Sequence, residues 1–115
     1  MKGWARLVRA TVVSYWGLGW ALREEEAFRI EALLCVLLAP AAILLGHTGM
    51  ERAILMLSLF LVLITELLNT AVEVVVDRIG TDRNVLSGRA KDLGSAAVHL
   101  SLLQVPVIWG LVLLA

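Results

Sequence analysis

Glu66, Asn69, Thr70, Glu73 and Asp77 interrupt an otherwise apolar stretch at short, helix-like spacings. At 100° per residue they occupy an arc of about 100° on a single helix face. Placing a carboxylate inside a bilayer costs about 2.5–3.5 kcal/mol even on lenient insertion scales, so such groups mark chemistry by default. Carboxylates in this setting can accept a proton, hold a hard cation, or line an ion path. Glu66 and Glu73 stand about 10.5 Å apart along the axis. A small cation with bonds of about 2 Å does not bridge that gap, so the two acids have different tasks. Glu73, nearer the helix end, suits a cation. Glu66, deeper, suits a hydroxyl carried by a lipid.

Further polar groups flank this helix. The following segment contains Asp77, Asp82, Arg83, Asn84 and then Lys91-Asp92. A Lys at a span entrance neutralises phosphate oxygens or snorkels beside its acidic neighbour. Glu24-Glu25-Glu26 is a second supply of carboxylates. No GxxxxGK[ST] loop or soluble-kinase signature occurs, so a nucleotide site here needs another construction. His47 and His99 are isolated and read as structural. The single cysteine, Cys35, excludes an intrachain disulfide and reads as a packed side chain.

The elements that carry these residues follow from composition. Of 115 residues, 60% are apolar, which suits one small membrane domain rather than a soluble one. Formal charge is zero, so no nucleic-acid partner is expected. Ala32–Met50, Ala53–Val76 and Leu93–Ala115 are each long enough to cross a hydrocarbon core of about 30 Å. The reading is an all-α membrane protein in one domain: an amphipathic surface helix over about 2–23, then spans over about 27–48, 52–77 and 91–115. Lys2, Arg6 and Arg9 share one side of the first helix, with Trp4, Leu7, Val8, Tyr15, Leu18 and Leu22 opposite. That pattern suits a helix lying on membrane lipid. No cleaved signal peptide is expected at the N-terminus. Basic residues crowd the N-terminal segment and residues 77–92, whereas 47–52 has one Arg. The N-terminus and the second loop are therefore expected in the cytoplasm, and the C-terminus outside. Gly94, Ala97 and Ser101 form a small-residue stripe for helix contact. A lone protomer is expected to leave the acidic face under-covered, which favours oligomers.

The run Glu66-Leu67-Leu68-Asn69-Thr70-Ala71-Val72-Glu73-Val74-Val75-Val76-Asp77 resembles the E-x-x-N-[ST]-x-x-E-x-x-x-D signature of the small bacterial membrane diacylglycerol kinases. Ala90–Val98 is similar to their second signature, and Glu25–Glu31 to the segment entering their first span. The resemblance covers nearly the whole chain. It implies a homotrimer with shared active sites in the bacterial inner membrane, using ATP and Mg²⁺ on a diacylglycerol-type lipid. It further implies Glu66 as catalytic base and Glu25 and Glu73 as metal ligands. Arg6, Glu25, Asn69, Glu73, Asp77, Asp82, Arg83, Asn84, Lys91 and Asp92 would contact ATP. Arg6, Ser14, Phe28, Arg29, Glu31, Glu66, Ser95 and Trp109 would contact the lipid. Three places depart from the family pattern: Val13-Ser14-Tyr15 in the surface helix, Ile30, and Asp82-Arg83-Asn84 in the loop. Undecaprenol kinases share the core signature, but residues 78–80 and 86–89 resemble the diacylglycerol branch. An oligomeric proton or cation conductor also accounts for the acids, though not for Lys91-Asp92 or Glu24–Glu26. A non-catalytic assembly protein accounts for the small-residue stripe alone.

Overall fold

A computed structural model describes residues 2–80, 82 and 84–115. Among the described residues four helices run in order: α1 Gly3–Glu24, α2 Glu26–Leu45, α3 Gly49–Ile79 and α4 Val85–Leu114. The last three are long and apolar enough to cross a membrane. α3 is central and packs most heavily on α4, then on α2, while α1 meets α2. At 1.5 Å per residue its 31 residues span about 46 Å, well beyond a hydrocarbon core of about 30 Å. Both its ends therefore reach the polar zones.

Local chemistry sets the helix ends. Thr48 caps α3, its Oγ1 accepting from Glu51 N–H at 3.1 Å. Glu51 reaches back to accept from His47 N–H at 3.1 Å, a variant of the reciprocal capping box. Arg52 Nε donates to the carbonyls of Ile43 and Gly46, closing the end of α2. Asn84 caps α4 by accepting from Leu86 N–H and Ser87 N–H. Pro40 and Pro106 lie inside α2 and α4 without ending either. Each removes one N–H donor from its ladder, and a spanning helix tolerates that loss.

The α1–α2 junction is one residue, Glu25, in extended conformation. Arg29 ties the two helices by donating from one guanidinium nitrogen to the carbonyls of Leu22 and Arg23, at 3.3 and 2.7 Å. Nearly all of α1 is exposed, with Trp4, Tyr15 and Trp16 presented outward and only Ala21 buried. The Arg9 guanidinium lies over the Trp16 ring, 5.9 Å from its centroid.

Between α2, α3 and α4 the core is built from Phe28, Cys35, Ala42, Leu55, Leu59 and Val62. Cys35 Sγ approaches the Leu59 carbonyl at 3.6 Å across the α2–α3 contact. Polar groups on α3 and α4 find each other deeper along the bundle. Trp109 Nε1 donates to Ser58 Oγ at 2.9 Å, and Gln104 Nε2 donates to the carbonyls of Ser58 and Ser101. Such interhelical bonds in membranes average about 0.6 kcal/mol each, enough to favour one helix register when several act together.

Candidate active site

The polar face of α3 is graded by depth. Glu66 is 6% exposed and Thr70 is buried, Asn69 and Glu73 are half-buried, and Asp77 is exposed. A single chain thus covers Glu66 by itself, more than the sequence led us to expect. The reason is that α2 turns a second acid inward. Glu31 is 9% exposed, and its carboxyl is near enough to Glu66 for the two acids to act on each other. Its Oε2 is buried and has no partner. The charges of Glu73 and Glu25 also bear on Glu66.

Asn69 Nδ2 donates to Glu73 Oε1 at 3.2 Å, one helical turn away. At the wide end, Lys91 of α4 donates to Asp77 Oδ1 of α3 at 2.6 Å. An open groove of about 630 Å³ forms here, lined by Asp77, Asp82, Asn84 and Lys91 together with Gly80 and Gly88. Four residues expected at a nucleotide thus share one groove. Arg83 lies outside the described residues. Arg6, on exposed α1, and Asp92, exposed on α4, do not line the groove.

The residues expected at a lipid are more dispersed. Glu31 and Phe28 are buried on α2, while Ser95 is exposed on α4. Ser14 lines an apolar groove of about 680 Å³ between α1 and α3, where its hydroxyl donates to the Ala10 carbonyl. Arg29 is engaged at the α1–α2 junction and Trp109 at Ser58. The partnership of Ser58, Gln104 and Trp109 was missed in the sequence, although Ser58 and Gln104 each interrupt an apolar run. Two polar side chains in separate spans were the available signal, because hydrocarbon offers them no other partner.

Among the described residues, no three His, Cys, Asp or Glu side chains converge on one point. A metal held here would lack an all-protein cage. Two carboxylates supplemented by substrate phosphates and water are, however, the usual way of holding Mg²⁺. Glu25 and Glu73 supply hard oxygen donors of that type, so the residues present fit such an ion.

Fold and site together define a helical membrane protein with a graded acidic face running from a buried carboxyl to a cation-bearing rim. The family model described as prokaryotic diacylglycerol kinase matches residues 12–113. The chain is 48% identical to a diacylglycerol kinase of Haemophilus influenzae over 108 residues, covering 94% of this chain and 92% of that one. It is 45% identical to one from Pseudomonas aeruginosa over 112 residues, covering 97% and 91%. For the Escherichia coli K12 enzyme of that name the identity is 41% over 111 residues, covering 96% and 91%. The chain belongs to the prokaryotic diacylglycerol kinase family, a family of membrane lipid kinases.

Proposed function

We propose that the chain transfers the γ-phosphoryl group of ATP to the primary hydroxyl of diacylglycerol, giving phosphatidic acid and ADP. The reaction takes place at the cytoplasmic face of a bacterial inner membrane. The observation that carries this reading is the continuity of the α3 face, from buried Glu66 to Asp77 at the rim with Lys91 across from it. One end suits a hydroxyl delivered from the bilayer, the other a phosphate chain delivered from water.

In the proposed step the lipid oxygen attacks the γ-phosphorus in line, and the bond to the ADP oxygen breaks. Glu66 takes the hydroxyl proton, and no phospho-enzyme forms. Lys91 uses one of its three N–H donors on Asp77, leaving the others for phosphate oxygens. Asn84 Oδ1 is occupied as a helix cap, so only its amide nitrogen is free for nucleotide. Trp109 has its single N–H on Ser58 and offers a lipid only its ring. A Mg²⁺ ion held with ATP by Glu25 and Glu73 would neutralise charge on the phosphates. Positioning and electrostatics supply most of the catalysis in such transfers, which suits a site with few functional groups. Three copies would assemble and share sites between neighbours.

The direct test is detergent-solubilised protein with Mg²⁺, labelled ATP and either diacylglycerol or undecaprenol. Label is expected in phosphatidic acid. Transfer to undecaprenol alone would reassign the substrate, and no transfer to either would end the kinase reading. A second expectation concerns the ion. Glu25→Ala and Glu73→Ala should each raise the Mg²⁺ needed for half-maximal rate by about tenfold or more, a loss that even outer partners of a metal site can cause. Excess Mg²⁺ should restore part of the rate. Unchanged Mg²⁺ titrations in both variants would place the ion elsewhere.

A further inference from the structure

The Glu73 carboxylate can only accept hydrogen bonds, so the Asn69 amide must turn Nδ2 toward it. That choice points Asn69 Oδ1 away from Glu73 and toward α4, where it is buried and accepts no hydrogen bond. An amide with an idle acceptor gains by rotating toward a donor unless its surroundings hold it. The position across from it is Gly94. A Cβ built on Gly94 would overlap Asn69 Oδ1 and stand 3.2 Å from its Cγ, with Asn69 Cβ next at 3.9 Å. All three neighbours are atoms of one side chain. Gly46 differs, since a Cβ there would stand 2.6 Å from Arg52 Cγ and would also meet two backbone atoms, the Arg52 nitrogen at 3.0 Å and the Ala42 carbonyl at 3.1 Å. Backbone as well as side chain crowds Gly46, whereas Gly94 makes room for an amide alone.

We infer that Gly94 is a positioning residue for phosphoryl transfer: its missing side chain is the slot that holds Asn69 with its amide turned to Glu73. The inference rests on the reading of Glu73 as a ligand of the metal that accompanies ATP. An Ala at this position changes little of the α3–α4 backbone contact, because a side-chain end can move aside. The moved amide no longer steadies Glu73, so the loss appears in metal dependence before it appears in folding.

The test is a double-mutant cycle of Gly94→Ala and Asn69→Ala, with Glu73→Ala alongside. Mg²⁺ half-saturation, kcat, MgATP KM and thermal midpoint are measured with diacylglycerol in detergent. Gly94→Ala alone should raise the Mg²⁺ half-saturation about tenfold, as loss of an outer partner does. In the Asn69→Ala background the same change should add no more than about twofold, the mark of two residues acting through one contact. Equal effects in both backgrounds would mean that Gly94 serves helix packing, and an unchanged Mg²⁺ titration would also overturn the inference. If Gly94→Ala does not fold, the double variant decides. Recovery to the stability of Asn69→Ala supports the overlap, and failure in both backgrounds sinks it. If Glu73→Ala leaves the Mg²⁺ titration unmoved, the metal reading has failed. The coupling of Gly94 to Asn69 is then read from kcat across the same cycle.

Discussion

Glu66→Gln is expected to lower kcat by ~10²–10⁴-fold, the usual worth of a general base, with little change in the KM for MgATP. The substitution keeps the shape of a side chain that is 6% exposed. It also adds an N–H₂ donor on the side of Glu31, whose buried Oε2 has no partner. The fold should therefore survive, while the negative charge and the capacity to accept a proton are lost. A variant that is folded, binds MgATP and turns over at close to the original rate would remove Glu66 from the proposed chemistry.

A second large effect is expected from mixing two inactive proteins. One protomer buries Glu66 unaided, but among its described residues it gathers no three ligating side chains. If neighbouring copies share sites, Glu66→Gln and Glu25→Ala chains repair each other wherever an intact Glu66 meets an intact Glu25. With free exchange at equal amounts in a cyclic assembly, about a quarter of the sites regain both residues. Activity should rise from near zero toward that fraction of the unmutated enzyme. Mixed oligomers recovered through an affinity tag but still inactive would mean that each chain builds its own site.

The spans were legible in the sequence because a bilayer demands about 20 apolar residues and leaves little else to decide. The acidic face on α3 was legible for a similar reason, since residues three and four apart must share a side of a helix. Helix ends were less so. α4 begins at Val85, eight residues before the apolar run that starts at Leu93, because Asn84 caps it. Hydropathy reports the membrane, not the cap. What the sequence could not carry was register between helices. Glu31 meeting Glu66, Gly94 facing Asn69, and Trp109 reaching Ser58 each join residues on different spans. Periodicity along one chain segment says nothing about how two segments slide past each other. Trp109 illustrates this: an aromatic near a span end suggests an interface anchor, yet its indole is tied inside the bundle.

One rigid helix carries both the buried carboxyl and the acidic rim, and it is longer than the hydrocarbon it crosses. Glu66 and Asp77 are eleven residues apart, so about 16.5 Å of rise is fixed between them by the hydrogen-bonded helix. α3 is in this sense a ruler. A thicker or thinner bilayer can tilt it or shift its depth, but cannot stretch the interval between the two marks. In the proposed reaction, membrane composition would then act by changing where a lipid's hydroxyl floats relative to the ruler, while the spacing of the marks stays constant.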